Sequence, residues 1–275
     1  MRIDQLQEEF DKAYQDVLGG ADNIINLEDY NQDLKIINEL NDNHIFIEDL
    51  GGKPAVTMKL YSEVTGKKEI NFIHIESFKN IYMNRTIALG NRPAPIGHYW
   101  LQDSRRNTVK TITFDPLQTK QIIEIDGEKY LNLWNGFGVD STKGCWKKTR
   151  KHIWKILCNS DPLKFKYVIR WLAFCVQRPG TRAEVALVFK GEQGGGKSFL
   201  FSQFKEIFGS HGMVISDPNR LVGKFNSHFR SLCYLFCDEA YFPGDKEAEG
   251  VMKARITEEY MDTEPKNRDV ITLKN

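Results

Sequence analysis

Residues 191–198 constrain this chain more than any other part of its sequence. They fit the pattern G-x-x-x-x-G-K-[ST], and they lie between a short apolar segment (185–189) and a segment whose apolar residues have helical spacing (199–208). Glycines allow the backbone N–H groups of such a loop to converge on an anion, and the following helix adds its own N-terminal donors. The order of strand, glycine-rich loop and helix therefore predicts a phosphate-binding loop in an α/β fold.

The side chains of this loop predict a nucleoside triphosphate and a magnesium ion as cofactors. Lys197 offers a positive charge to the outer phosphates, and Ser198 offers a hydroxyl group to Mg²⁺. We take ATP as the nucleotide. The residues predicted to contact it are Gly191, Gln193, Gly194, Gly195, Gly196, Lys197, Ser198 and Phe199.

A second acidic element follows the loop at residues 231–239. An apolar run typical of a buried parallel strand ends there in Asp238 and Glu239. Open α/β sheets bind ligands at the carboxyl ends of their strands, so Asp238 is predicted to hold Mg²⁺ together with Ser198, and Glu239 to polarise the attacking water. An Asp-Glu pair alone is often only a surface turn. Combined with Lys197, the pair predicts nucleoside triphosphate hydrolysis.

Composition limits the possible partners. The chain has 275 residues, 41% of them hydrophobic, and a formal net charge of +1, so a polyanion would have to bind a local patch rather than the whole surface. The five cysteines form no C-x-x-C pair, which favours a reduced, intracellular protein. The sequence contains no signal peptide and no apolar run of membrane-spanning length, so no membrane partner is expected.

The pattern along the chain predicts two domains. An amphipathic helix is expected at residues 3–18, and a helix (34–40) followed by alternating strand-like segments indicates a small α+β unit. We place an α+β accessory domain at residues 1–155 and the nucleotide-binding domain at 156–275. The second domain begins with a helix that Asp161 and Pro162 introduce.

The densest basic run lies at the junction of these domains, at residues 143–166. It is typical of the solvated face of two helices. It is also compatible with a strip that contacts a phosphate backbone, in which Trp146 and Trp154 could stack on bases. Because charge runs are usually solvated faces, the sequence favours the first interpretation.

Several segments together resemble a known family. They are residues 130–136, 171–179, 191–198 and 221–229, the last leading into Asp238-Glu239-Ala240. They resemble the superfamily 3 helicases, specifically the phage and plasmid primase-helicase proteins related to poxvirus and satellite-phage replicative helicases. The resemblance runs from about Tyr30 to the end of the chain.

This resemblance implies a hexameric ring of AAA+-like ATPases that moves 3′ to 5′ on single-stranded DNA in the cytoplasm of the host cell. It also implies a primase-polymerase module that precedes Met1 in the same parent chain. The DNA-gripping element would include Lys253, Lys266 and Arg268. The resemblance leaves open whether Asn226 and His228 contact DNA or a neighbouring subunit.

The sequence departs from the family after Glu239. Family members continue with a strand that ends in a polar sensor residue, and later with an arginine that completes the neighbouring site; neither is recognisable before Asn275. The sensor strand normally lies between the strand of the phosphate loop and the strand of Asp238. The resemblance therefore predicts an incomplete parallel sheet with a central gap, and weak or absent ATPase activity for these 275 residues alone.

Three functions remain open from the sequence. The first is an ATP-dependent DNA helicase or translocase module of a phage replication protein. The second is a nucleotide-switched DNA-binding or oligomerisation module that supports a primase-polymerase without unwinding. The third, a viral genome-packaging ATPase, shares the nucleotide motifs but would not be expected to carry residues 221–229.

Overall fold

The computed structural model describes residues 27–62, 67–89, 92–191, 194–239, 244 and 246–275. The helix predicted at residues 3–18 and Gln193 of the glycine-rich loop lie outside these ranges.

The front half is a mixed α+β structure, as the sequence predicted. Its elements are, in chain order, α1 (Leu27–Asn43), β1 (Phe46–Ile47), β2 (Ala55–Ser62), β3 (Lys67–Ile73), α2 (Ile75–Ile81), β4 (Thr86–Leu89), β5 (Arg92–Pro95), α3 (Ile96–Gln102), β6 (Thr108–Val109), β7 (Thr111–Thr113), β8 (Ile122–Ile125) and β9 (Glu128–Asn132).

These strands form two small sheets and a hairpin. The larger sheet has the order β3-β2-β1-β6 and is antiparallel except for the parallel pair β1 and β6. The second sheet has the order β7-β9-β8, and β4 pairs with β5 as an antiparallel hairpin. One face of the larger sheet is covered by the helices around Trp100, whose indole N–H donates to Oδ1 of Asn41 at 2.9 Å.

The rear half contains the predicted nucleotide-binding elements. They are α4 (Lys147–His152), a π-helical turn (Ile153–Leu157), α5 (Pro162–Gln177), α6 (Lys197–Phe208), β10 (Gly212–Ile215), α7 (Pro218–Val222), β11 (Tyr234–Cys237), α8 (Lys246–Thr257), β12 (Tyr260–Thr263) and β13 (Ile271–Lys274). Helix α5 begins as predicted, because the Asp161 carboxylate accepts the backbone N–H groups of Leu163 and Lys164 at 2.8 and 3.1 Å.

The parallel sheet predicted around the phosphate loop is not formed by the described residues. Strands β10 and β11 pair in parallel, but residues 185–189, which were predicted to be a strand, join no sheet. The carbonyl of Val185 instead accepts the indole N–H of Trp171 at 3.1 Å, and the Val188 side chain is 89% exposed. A strand needs a neighbouring ladder to satisfy its backbone groups, and no described strand pairs with this segment. The fold is therefore a mixed α/β fold with several small sheets.

One hydrophobic cluster contains residues of both the front half and the rear half. Leu273 of β13 lies in a cluster with Ile47 and Leu131 of the two front sheets. The Asp269 backbone N–H also donates to the carbonyl of Gly51 at 3.0 Å. The C-terminal hairpin thus packs on the front half, and the boundary placed near residue 155 stays a prediction.

Candidate nucleotide-binding site

The structure brings the two predicted halves of the site into contact. The Ser198 hydroxyl, in the first turn of α6, donates to Oδ1 of Asp238 at 2.7 Å. Asp238 follows β11 directly, and its backbone N–H donates to the carbonyl of Ile215 at 2.9 Å, which fixes the end of the strand. A hydroxyl and a carboxylate at this distance are oxygen ligands of the type that Mg²⁺ takes.

The glycine-rich loop has the backbone conformation that the sequence predicted. Gly194 and Gly196 have φ values of +86° and +72°, a region that side chains with a Cβ rarely adopt. The Lys197 ammonium group donates to the carbonyl of Gly191 at 3.1 Å, so the lysine side chain folds back over the loop. The loop and Lys197 therefore fit the binding of a phosphate group, whereas Phe199 is 69% exposed on the outer side of α6.

Glu239 leaves the strand in an unusual conformation. Its φ is +56°, in the left-handed region, and its side chain is exposed. Such a backbone conformation costs of order 1 kcal/mol or more in a residue other than glycine, and it is concentrated at functional sites.

A large open cavity lies between the phosphate loop and β11. It has a volume of about 1490 Å³ and is lined by Val188, Lys190, Ser198, Phe236, Asp238 and Arg255, among others. Ordinary ligand pockets measure about 300–1,000 Å³. The cavity occupies the place where the sequence predicted a gap between the loop and the strand of Asp238.

Two half-buried groups beside this cavity have perturbed pKa values. Burial raises the pKa of the Cys237 thiol to about 11, so the thiol beside Asp238 stays protonated at neutral pH. Burial also lowers the pKa of the Arg255 guanidinium, which lies over the Phe229 ring at 3.8 Å and donates to the carbonyl of Leu221 at 3.0 Å. The Cys237 side chain is thus a protonated thiol that packs against its neighbours, and it does not act as a nucleophile.

The three residues predicted to contact DNA lie in different environments. Lys253 on α8 is exposed and lines the cavity, and Lys266 is exposed in the turn between β12 and β13. Arg268 is half-buried, and its guanidinium donates to the carbonyls of Leu50 and Lys53 at 2.7 and 3.0 Å. The structure therefore gives Arg268 a role in attaching the hairpin to the front half, a role that the sequence did not suggest.

The polar residues of segment 221–229 also make contacts within the chain. The Asn226 side chain donates to the carbonyl of Asp262 at 2.9 Å and accepts the backbone N–H of Glu264 at 2.8 Å. Nε2 of His228 lies 3.1 Å from the carbonyl of Arg220. Both residues hold neighbouring segments together, in addition to any contact with DNA or another subunit.

Sequence reasoning missed one residue of the site, His152. Its Nε2 lies 3.2 Å from the carbonyl oxygen of Gly196, inside the phosphate loop. No motif contains a histidine here; the signal available was its position in the basic run at residues 143–166. Of the two tryptophans in that run, Trp146 is 52% exposed, whereas Trp154 packs edge-on against Phe165 at 5.4 Å.

No group of three or more His, Cys, Asp or Glu side chains within the described ranges could hold a metal ion. No described helix is long and apolar enough to cross a membrane.

Comparison with known proteins identifies similar chains. The model of a family described as a family of unknown function (DUF5906) matches residues 189–275. A protein named DNA Primase-polymerase from Nitratiruptor phage NrS-1 is 29% identical over 158 residues, which are 55% of this chain and 22% of that protein. The match thus spans about a fifth of the relative's length.

Solved structures of the apo C-terminal region of NrS-1 have the same fold. One covers 88% of this chain and 55% of the solved chain, with a TM-score of 0.64 and 21% identity. A second covers 86% and 53%, with a TM-score of 0.63 and 21% identity. The chain is thus similar in sequence to a phage primase-polymerase and in fold to its C-terminal region, which confirms the resemblance to phage replication proteins of this kind.

Proposed function

We propose that this chain is the nucleoside-triphosphate-binding module of a phage replication protein of the primase-polymerase kind. The observation that carries the proposal is the 2.7 Å hydrogen bond between Ser198 Oγ and Asp238 Oδ1. These residues are 40 positions apart, in two separate predicted motifs, and folding brings their oxygen atoms within hydrogen-bond distance. If Asp238 and Glu239 were only a surface turn, no contact between Asp238 and the glycine-rich loop would be expected.

Each residue then has a distinct role. When ATP binds, the Lys197 ammonium group gives up its hydrogen bond to the Gly191 carbonyl and contacts the outer phosphates instead. The backbone N–H groups of the loop surround the phosphate chain. Ser198 and Asp238 hold Mg²⁺, which when bound neutralises charge on the phosphates. Glu239 orients and polarises the attacking water from the strained turn after β11.

We infer that ATP hydrolysis at this site drives movement on single-stranded DNA, so that the intact protein acts as a DNA helicase. The support is the similarity to a DNA primase-polymerase together with exposed Lys253 and Lys266, which are available to a phosphate backbone. In this proposal the intact protein carries the primase-polymerase module, works inside the host cell and assembles as a ring, likewise proposed to be hexameric.

The alternative is a nucleotide-dependent switch that holds a primase-polymerase on its template without unwinding. The open cavity of about 1490 Å³ between the loop and β11 favours it for this chain by itself, because water has free access to the site. For the same reason we expect weak or absent ATP hydrolysis from these residues alone.

The first test is nucleotide binding, measured with a fluorescent ATP analogue and Mg²⁺. We expect Lys197→Ala to lose measurable affinity while the unfolding temperature stays within a few degrees of the original. Lys205→Ala, at the other end of α6 where Lys205 pairs with Glu206 at 3.2 Å, is the matched control and should bind normally. Equal nucleotide affinity in Lys197→Ala and in the unaltered chain would refute the assignment.

A strand-displacement assay on a forked DNA separates the two functions. The intact parent protein should displace the strand in the presence of ATP if it is a helicase. Hydrolysis of ATP that DNA stimulates, without displacement, would establish the switch instead.

A further inference from the structure

The phosphate loop is held from outside by a side chain of the basic run. Nε2 of His152 lies 3.2 Å from the carbonyl oxygen of Gly196. A carbonyl oxygen can only accept, so Nε2 must carry a proton and donate. The absence of a side chain at Gly196 also leaves room for the imidazole ring. A Cβ at this position would lie only 2.8 Å from Cε1 of His152.

This contact fixes the peptide group that matters most to a bound phosphate. The carbonyl of Gly196 and the backbone N–H of Lys197 belong to one planar peptide unit. The hydrogen bond from His152 therefore sets the direction of the Lys197 N–H, and it polarises that donor as well. Within the helix the same carbonyl accepts only a long bond of 3.4 Å, from the N–H of Leu200.

The helix that carries His152 is firmly attached to the loop helix. Immediately after His152 the chain forms a π-helical turn, an arrangement that is rare and is frequent at functional sites. Ile153 and Cys158, on and just after this turn, are buried against Leu200 and Phe201 of α6. A displacement of α4 is therefore transmitted to the start of α6 through packed side chains.

The same short helix presents a concentrated positive surface. No carboxylate lies between Asp140 and Asp161 in the sequence. The basic side chains of this stretch are exposed, and none of them forms an ion pair with another described residue. They are Lys143, Lys147, Lys148, Arg150, Lys151 and Lys155. Together with exposed Trp146, they present the positive charge and the aromatic ring that bind single-stranded nucleic acid.

We propose that His152 is a positioning residue of the phosphate loop, and that it couples single-stranded DNA bound on the α4 surface to nucleotide bound in the loop. DNA bound on the surface restrains α4 in the position from which His152 reaches Gly196, and nucleotide bound in the loop favours that same position. Nucleotide and DNA then raise each other's affinity by the same factor. This inference rests on the proposed function, because it assumes that the loop binds a nucleotide.

The test uses the full chain and two probes, a fluorescent ATP analogue with Mg²⁺ and a short oligothymidylate. Nucleotide affinity is measured without the oligonucleotide and with a saturating amount of it. We expect the oligonucleotide to tighten nucleotide binding about tenfold in the unaltered chain, within the usual range of coupling between sites. The reciprocal titration should give the same factor.

Two substitutions at position 152 separate the hydrogen bond from the shape of the ring. His152→Phe keeps a ring against Gly196 without a donor, and it should weaken nucleotide binding and reduce the coupling factor to about one. His152→Gln keeps an N–H donor at a similar reach and should restore most of both. A role in packing alone would give the opposite order.

A charge control tests the surface. Lys148→Glu combined with Lys151→Glu should weaken oligonucleotide binding, whereas Lys120→Glu, an exposed lysine of the front half, should leave it unchanged. Undiminished coupling in His152→Phe would overturn the inference and leave the proposed function intact. Failure of the unaltered chain to bind nucleotide would overturn both.

Discussion

The backbone N–H of Asn135 donates to Nε2 of His211 at 3.1 Å, across the junction between the front half and the rear half. Nδ1 of the same imidazole donates to the carbonyl of Ser231 at 2.8 Å, and the ring stacks on Trp134 with 4.6 Å between ring centroids. His211, whose Nε2 also lies 2.5 Å from Oδ1 of Asn135, thus joins the end of α6, the segment that leads into β11 and the aromatic segment after β9.

This arrangement predicts a loss of stability in mild acid. Burial lowers the pKa of His211, and also that of His44, below the ordinary histidine value of about 6.5. The unfolded chain therefore binds protons at a pH at which the folded chain does not, so the free energy of unfolding falls as the pH drops below about 6.5. Denaturant titrations between about pH 7.5 and pH 5.5 measure it.

Replacement of the histidine provides the check. His211→Gln should be less stable at neutral pH, but its stability should depend less on pH, with the remaining dependence due in part to His44. His98→Gln, at an exposed position on α3, should behave like the unaltered chain. The same pH dependence in His211→Gln and in the unaltered chain would contradict the assignment.

Two loop glycines should differ in their tolerance of alanine. Both have positive φ, so alanine costs roughly 1–2 kcal/mol at each position. At Gly194 the added Cβ meets nothing within 4 Å, whereas at Gly196 it lies 2.8 Å from the His152 ring. Gly196→Ala should therefore lower the unfolding free energy by about 1 kcal/mol more than Gly194→Ala. Thermal or chemical unfolding measures both values. Equal losses of unfolding free energy in the two variants would show that the His152 side chain moves aside to accommodate the added methyl group.

Arg268 and Lys266 should separate stability from DNA affinity. Loss of the two hydrogen bonds from the Arg268 guanidinium to the carbonyls of Leu50 and Lys53 should cost about 2 kcal/mol of unfolding free energy in Arg268→Ala. Lys266→Ala removes an exposed charge and should change stability by less than about 0.5 kcal/mol while weakening oligonucleotide binding. Unfolding and oligonucleotide-binding titrations on both variants measure these effects. If Arg268 contacts DNA instead, Arg268→Ala will lose oligonucleotide affinity with little loss of stability.

Glu239→Gln should separate nucleotide binding from hydrolysis in the intact protein. The amide keeps the size of the side chain but cannot act as a base, so hydrolysis should fall about 10²- to 10⁴-fold with little change in ATP affinity. A steady-state hydrolysis assay and a nucleotide titration give the two quantities. Hydrolysis at the original rate would exclude Glu239 as the residue that polarises water.

The local elements were largely predictable from the sequence. Helix α5 begins where Asp161 and Pro162 indicated, because an N-cap and a proline at the first helical position act within a few residues. The loop glycines with positive φ and strand β11 before Asp238 follow from local pattern in the same way.

What depended on distant partners needed the tertiary structure. Residues 185–189 have the composition of a strand but join no sheet, because a strand needs a neighbouring ladder that composition cannot supply. Arg268 is basic like Lys266, yet only the fold shows that its guanidinium group donates hydrogen bonds to backbone carbonyls of the front half. The sequence by itself predicted a phosphate-binding loop with Lys197 and Ser198 and an acidic pair at Asp238 and Glu239. The tertiary structure decided that Ser198 meets Asp238 and that His152 reaches Gly196, since both contacts join residues 40 or more positions apart.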